Sequence, residues 1–167
     1  MKLFISYIFI FSFSIESLFC QDASIRFENL DYKNGQVENE NRVIYQDRDG
    51  LIWIGTVNGL VRYDGSNLLT YKNDLDDSTS ISNNAVKAII EDKNGQIWIG
   101  TEGGLNLYRA DLNSFKVFKY NVSDKSSLSS DNIHSLYLDR IGNLWICTES
   151  GLNLLDYNAF TFKRFVK

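Results

Sequence analysis

The sequence predicts an all-β fold, a partial β-propeller of three four-stranded antiparallel blades with one additional outer strand at its N-terminal end. Two observations carry this prediction. A motif built around tryptophan occurs three times, and Trp53, Trp98 and Trp145 are 45 (53 to 98) and 47 (98 to 145) residues apart, which is typical of propeller blades. Each copy also contains four short runs of β-branched and aromatic residues separated by turn residues.

The first twenty residues have the composition of a signal peptide. Lys2 precedes an almost wholly apolar run over 3–13, and Glu16 ends the apolar character. A run of this length matches the apolar region of a signal peptide and is too short to span a membrane. We therefore assign residues 1–20 to a signal peptide that directs export.

The end of that segment allows two interpretations. Cleavage between Cys20 and Gln21 would release residues 21–167 as the propeller. A lipid anchor on Cys20 is the alternative, but Phe19 stands where a lipoprotein signal has a small residue.

Charge and cysteine content exclude several classes of function. The formal net charge of −4 at pH 7 gives no reason to expect a nucleic-acid partner. Cys147 is the only cysteine after residue 20, so an internal disulfide and a cysteine metal cluster are both excluded there. We predict neither a metal nor a cofactor.

The predicted elements follow one another along residues 21–167. The leading strand covers 25–30 and the blades cover about 42–72, 85–120 and 132–166. Within the blades, runs such as Leu51–Ile54 are apolar at successive positions, so both faces of each sheet must be covered. Blades packed radially against one another provide that cover.

Turn residues separate the strands in each copy. Asp49-Gly50 and Asn94-Gly95 predict two-residue hairpins, since glycine accepts the positive φ that such turns need. Ile141-Gly142 departs from this pattern and predicts a looser turn. The second turns and the inter-blade linkers are expected on one face of the propeller; they cover Thr56–Gly59, Thr101–Gly104, Thr148–Gly151, Asn73–Asn84 and Asn121–Asn132.

The repeated tryptophans are predicted to pack in the core. Sugar stacking is the alternative role, but a core position recurs with the repeat, whereas a ligand site usually does not. Gly55 and Gly100 are expected where close packing leaves no room for a side chain, and Cys147 takes this place in the third copy.

The repeated aspartates Asp47, Asp92 and Asp139 suggest calcium binding or acid–base catalysis at first sight. Each one directly precedes a hairpin turn, and we therefore predict that its carboxylate stabilises that turn. The glycine-rich segment 100–104 lies between two strands, whereas a phosphate loop precedes a helix.

His134 is the only histidine and has the same repeat position as Arg42 and Lys87. This correspondence predicts a solvated or rim-facing basic position. No nucleophile is paired with it, and we predict no catalytic residue.

Binding residues usually lie on loops over a rigid scaffold. Polar residues on the expected loop face are therefore the candidates for ligand binding, and they are Asn58, Glu102, Glu149, Asn84 and Asp131.

These repeats resemble the two-component regulator propeller repeat, whose unit reads Asp-x-x-Gly-x-hydrophobic-Trp-Ile-Gly-Thr, then Gly-Leu and Tyr-Asp. The first copy, from Asp47 to Leu60 followed by Tyr63-Asp64, fits this pattern well. The resemblance implies a periplasmic sensor propeller at the N-terminus of a hybrid histidine kinase of Bacteroidetes, which responds to oligosaccharides. Kinase activity would then belong to a longer parent protein.

The resemblance leaves several partners and functions open. Closed propellers typically have four to eight blades, so three blades are expected to need the remaining blades of a parent propeller or another copy of the chain. The expected ligand is an oligosaccharide or another small periplasmic molecule. The alternatives are a propeller enzyme acting on glycans, as a lyase or glycoside hydrolase, and a structural propeller that binds proteins.

Overall fold

The computed structural model describes residues 40–165. The predicted signal peptide at 1–20, the alternative lipid anchor on Cys20 and the predicted leading strand at 25–30 lie outside the described residues. In chain order the strands are β1 (Asn41–Gln46), β2 (Ile52–Thr56), β3 (Leu60–Tyr63), β4 (Leu68–Tyr71), β5 (Val86–Glu91), β6 (Ile97–Thr101), β7 (Gly104–Arg109), β8 (Ser114–Phe118), β9 (Ile133–Leu138), β10 (Leu144–Thr148), β11 (Gly151–Asp156) and β12 (Thr161–Phe165).

The strands form three four-stranded sheets in which neighbours in the chain are neighbours in the sheet. Every neighbouring pair is antiparallel. We call the sheets blade 1 (β1–β4), blade 2 (β5–β8) and blade 3 (β9–β12). The prediction of an all-β fold with three antiparallel blades is confirmed.

The blades are stacked through their first strands. β1 lies beside β5, and β5 lies beside β9, so the first strand of each blade is the innermost. The described residues contain two apolar cores, one between each pair of adjacent blades. The first core contains Trp53, Leu60, Tyr71, Ile81, Val86, Ile89, Ile97, Ile99 and Phe115. The second contains Trp98, Leu105, Leu107, Leu128, Ile133, Leu144, Ile146, Leu155 and Phe162.

Two of the repeated tryptophans lie inside these cores, as predicted. Trp53 is 1% exposed and Trp98 is 0% exposed. The Trp53 ring meets the Tyr108 ring of blade 2 edge-on, with 4.9 Å between centroids. Trp145 has the same register in blade 3, where no described blade covers it, and it is half-buried.

The glycine prediction is also confirmed. A Cβ atom on Gly55 would lie 2.5 Å from Cγ1 of Val86, and one on Gly100 would lie 2.6 Å from Cγ2 of Ile133. Real Cβ atoms do not approach that closely, so each glycine allows the first strand of the next blade to pack against the sheet. Cys147 occupies the equivalent position as a free, half-buried thiol.

The prediction of two-residue hairpins is wrong. In blade 1, Asp47 N donates to Leu51 O at 3.0 Å, and Gly50 N donates to Asp47 O at 3.0 Å. Three residues therefore form the loop, and Gly50 closes it at φ +85°. Such a loop is a type I turn followed by a left-handed glycine in a bulge, which an Asp-Gly pair favours as readily as a two-residue turn.

The looser turn predicted at Ile141-Gly142 is wrong as well. Gly142 also has φ +85°, and its N donates to Asp139 O at 2.9 Å, as Gly95 N does to Asp92 O at 3.0 Å. The three hairpins share one conformation because the turn is defined by the glycine and by the aspartate three residues before it. The residue immediately before the glycine does not affect the turn type.

Each repeated aspartate stabilises this turn, as predicted, and also binds the tryptophan of its own blade. In blade 2, Asp92 Oδ1 accepts from the backbone N atoms of Asn94 and Gln96 at 2.8 and 3.0 Å, while Oδ2 accepts from Trp98 Nε1 at 2.9 Å. Asp47 and Asp139 make the equivalent bonds. The bond to the indole gives the polar edge of a buried tryptophan its hydrogen-bond partner.

Candidate functional site

The linkers and the second turns meet on one face, as predicted. Glu102 N donates to Ala85 O at 3.2 Å, and Glu149 N donates to Asn132 O at 3.0 Å. These bonds join the turn after the second strand to the end of the linker that enters the same blade. We call this surface the linker face.

A β-bulge occurs at the same place in the first strand of every blade. The register between first and second strands shifts between Asn41 and Val43, between Val86 and Ala88, and between Ile133 and Ser135. The extra residues are Arg42, Lys87 and His134, the three basic positions that the sequence aligns. Bulges are over-represented next to active sites, where they redirect a side chain.

The bulged cations and the turn carboxylates form a polar cluster across the linker face. Lys87 Nζ lies 3.0 Å from Glu102 Oε1 and 2.9 Å from Asn132 Oδ1. Arg42 Nη1 of blade 1 lies 3.5 Å from the same Glu102 oxygen, and Asn132 Nδ2 donates to Glu149 Oε2 at 3.4 Å. The axial cluster, as we call these five residues, therefore links all three blades.

Charge is balanced within the axial cluster. The hydrogen bond from Lys87 is the main cause of a pKa of Glu102 below its ordinary value, and the charge of Arg42 adds to this effect. Glu102 is therefore ionised at neutral pH. Its side chain is 44% exposed and that of Lys87 is 20% exposed, so both can exchange these contacts for hydrogen bonds to a hydroxyl-bearing ligand.

The structure brings two of the five predicted ligand-binding residues into the axial cluster, Glu102 and Glu149. Asn84 and Asp131 instead close the linkers: Asn84 Oδ1 accepts from Asn73 N at 2.7 Å, and Asp131 Oδ1 accepts from Tyr120 N at 2.5 Å.

Asn58 lies in the turn between β2 and β3 of blade 1. Its backbone N donates to Thr56 Oγ1 at 2.9 Å.

Sequence reasoning missed the role of Arg42, Lys87 and Asn132. The signal was present for the first two, because both align with His134, but only the strand register reveals the bulge. Asn132 has no counterpart of the same type, since Ala85 holds its place in blade 2.

Sequence reasoning also missed a buried polar network that fixes each linker to its blade. Asn106 is fully buried, and its Oδ1 accepts from Ser82 N at 2.8 Å while its Nδ2 donates to Ile99 O at 3.1 Å. Asn153 makes the matching bonds to Ser129 and Ile146. The segment Gly-Leu-Asn-Leu, repeated at 104–107 and 151–154, was the available signal.

Two features are absent from the described residues. Over residues 40–165, no group of three or more His, Cys, Asp and Glu side chains is placed to hold a metal ion. The same residues include no helix long and apolar enough to cross a membrane.

The sheets, their stacking and the linker face define this chain as part of a β-propeller. Its repeats belong to the two component regulator propeller family, which matches residues 35–58, 80–103 and 127–150.

Solved structures agree with this assignment. The extracellular domain of a hybrid two component system from Bacteroides thetaiotaomicron is 31% identical with a TM-score of 0.76, over 84% of this chain and 20% of that one. The extracellular domain of a one component system from the same organism shares the fold, with 23% identity and a TM-score of 0.66 over 80% of this chain and 20% of that one. The chain thus spans about a fifth of each structure.

A curated relative matches over a shorter segment. Histidine kinase P4 of Formosa agariphila is 36% identical over 75 residues, which are 45% of this chain and 6% of that protein.

Proposed function

We propose that this chain is a ligand-binding portion of an extracytoplasmic sensor, that it acts without catalysis, and that its ligand is an oligosaccharide bound at the axial cluster. The similarity to an extracellular domain of a hybrid two component system supports the sensor role. The predicted signal peptide supports a periplasmic location. The observation that carries the site is that the bulged cations of blades 1 and 2, Arg42 and Lys87, both lie against the Glu102 carboxylate of the β6–β7 turn.

The chemistry of the axial cluster fits a ligand rich in hydroxyl groups. A hydroxyl both donates and accepts, so it can bond to a carboxylate, an ammonium and an amide at once. Glu102, Lys87 and Asn132 supply those three groups, and Lys87 Nζ lies within hydrogen-bond distance of the other two. The cluster contains residues from all three blades, so the spacing of its polar groups depends on how the blades are stacked. Binding of a ligand to these groups would therefore be coupled to blade stacking, and this coupling is how the ligand would be sensed.

The test is calorimetric titration of the full chain with a panel of oligosaccharides. We expect saturable binding of at least one glycan, with affinity reduced at least about tenfold in Glu102→Gln, as expected for removal of a charged hydrogen-bond partner. Asp111→Asn is the matched control, because Asp111 lies in the β7–β8 hairpin at the opposite end of the sheet. Binding that survives Glu102→Gln unchanged would exclude this site, and hydrolysis of a bound glycan would favour an enzyme.

We also propose that the exposed face of blade 3 packs against a further blade of the same repeat. Trp145, Leu152 and Phe165 have the register of Trp98, Leu105 and Phe118, yet Leu152 and Phe165 are exposed. A cavity of about 330 Å³ lies on this face, lined by Ser135, Tyr137, Trp145, Cys147 and Leu152.

Cys147 determines which blade would fit. Val86 and Ile133 each contact a glycine of the preceding blade, and a cysteine at that place needs a smaller neighbour. Within blade 3 the residue beside Cys147 is small. Ser135 pairs with Cys147, whereas in blade 1 the equivalent residue, Val43, pairs with Gly55. The incoming first strand should therefore carry glycine, alanine or serine at the position of Val86.

Appending a copy of residues 74–120 after Lys167 tests this blade proposal. With Val86→Ala in the copy, we expect Cys147 to react with a thiol reagent at least about tenfold more slowly, because docking buries the thiol. The unchanged copy is the matched control and should protect less. Equal reactivity of Cys147 with both copies would contradict the proposal.

A further inference from the structure

The two inter-blade linkers have the same conformation, although only one of them holds an arginine. In the linker after blade 1, Ser80 Oγ donates to Asp74 O at 3.0 Å and Ser80 N donates to Asp77 O at 3.1 Å. In the linker after blade 2, Ser127 makes the corresponding bonds to Asn121 and Asp124. The two loops thus present matching sets of oxygen atoms.

In the second linker, Arg164 of β12 fills the loop. Its Nε donates to Ser127 O at 2.7 Å, and its Nη2 donates to Asp124 O at 2.7 Å and to Ser127 Oγ at 2.5 Å. The guanidinium also lies over the Tyr120 ring, 5.3 Å from its centroid. This is the planar donor geometry that an ammonium group does not reproduce.

In the first linker the same place is open. Val117 of β8 has the register of Arg164, since it pairs with Asn106 as Arg164 pairs with Asn153, and Asn73 replaces Tyr120. A cavity of about 370 Å³ results, and Val117, Asp74, Asp77 and Ser80 are among the residues that line it.

The charge of this loop also favours a cation. It carries Asp74, Asp76 and Asp77, where the second linker has Asn121, Ser123 and Asp124. Hydrogen bonds from the Thr79 side chain and backbone keep the pKa of Asp77 below its ordinary value, so this carboxylate is ionised at neutral pH. Lys119 also lines the cavity, and its positive charge opposes this preference.

We propose that the cavity in the first linker binds the guanidinium group of an external ligand, in the way that the second linker holds Arg164. The bound group would donate to the carbonyl oxygens of Asp77 and Ser80 and to the Ser80 hydroxyl. The source is an arginine side chain of a peptide or a free small guanidinium compound. This site is independent of the axial cluster and of oligosaccharide binding.

The test is an NMR titration of the ¹⁵N-labelled full chain with N-acetylarginine amide. We expect saturable shifts at the amides of Asp77, Thr79 and Ser80, and binding at least about tenfold weaker for the neutral citrulline analogue, because a charged donor is lost. The lysine analogue should also bind more weakly. Tighter binding of a Gly-Arg-Gly peptide than of the amide would identify a peptide as the source, and the reverse order a small compound.

Three variants make the test decisive. Val117→Arg should supply the guanidinium from within, abolish binding and raise the urea midpoint. Arg164→Val should open a matching cavity in the second linker and lower the midpoint, which added N-acetylarginine amide should partly restore. If Val117→Arg does not fold, Ser78→Lys adds the charge that Lys125 has in the second linker and should weaken binding. Absence of saturable shifts, equal binding of the citrulline analogue, or binding unaffected by these variants would overturn the proposal.

Discussion

Replacing Gly100 by alanine tests whether blades pack as closely as the structure indicates. The new Cβ would lie 2.6 Å from Cγ2 of Ile133 and 3.1 Å from its Cβ. Both contacts are with a buried side chain of the innermost strand of blade 3, so relief requires that strand to move. Overpacking of this kind costs about 1–3 kcal/mol.

One effect acts in the opposite direction. Alanine restricts the unfolded chain and stabilises a compatible site by about 0.4–1 kcal/mol. Gly100 is not among the glycines with positive φ, so its backbone conformation suits alanine. The difference between these two ranges is about 0–2.6 kcal/mol, and because the nearer contact is well under 3.0 Å we expect a net loss of at least about 1 kcal/mol in the free energy of unfolding.

The assay is urea unfolding followed by tryptophan fluorescence, with Cys147→Ala as the matched control at the equivalent site that no described blade covers. A cycle with Ile133→Ala isolates the clash. Ile133→Ala alone should cost about 2–5 kcal/mol, and the double variant should cost at least about 1 kcal/mol less than the sum of the single variants. A neutral Gly100→Ala, or strictly additive costs, would refute close packing at this interface.

Three other measurements check separate parts of the structure. Asp92→Ala removes a buried acceptor from Trp98 Nε1 and two backbone donors, and we expect urea unfolding to show a loss of about 2–4 kcal/mol. The pKa of Asp139 is lowered from 3.8 to about 2, and the hydrogen bond from the Trp145 indole is the main cause. Because the folded pKa is depressed, its contribution to stability is present above about pH 4 and is lost as the pH falls towards about 2, a decline that Asp139→Asn should reduce. In a Cys20→Ser background, Cys147 should react with a thiol reagent without denaturant, because it is only half-buried.

The repeat predicted the fold because it determined three features at once. Successive apolar residues require cover on both faces of a sheet, the spacing of Trp53 and Trp98 sets the size of a blade, and Gly55 marks a close approach. These constraints agree, so strand order, stacking and core were all predictable.

The turn type and the site depended on geometry that the sequence does not display. The pair Asp49-Gly50 is compatible with two loop lengths. The hydrogen bonds that Asp47 Oδ1 accepts from the backbone within the loop decide between them. The bulge that redirects Lys87 appears only in the strand register. The open cavity beside Val117 was not predictable either. It arises because Val117 has the place that Arg164 of blade 3 has in the second linker, where the arginine side chain fills the loop.

The bond between Asp92 and Trp98 has a consequence for how such chains change in evolution. Both partners belong to one blade, so a unit that is duplicated or deleted takes donor and acceptor with it. Neither event leaves an indole N–H without its acceptor. Gain or loss of a whole repeat therefore preserves this hydrogen bond, whereas substitution of either partner removes it.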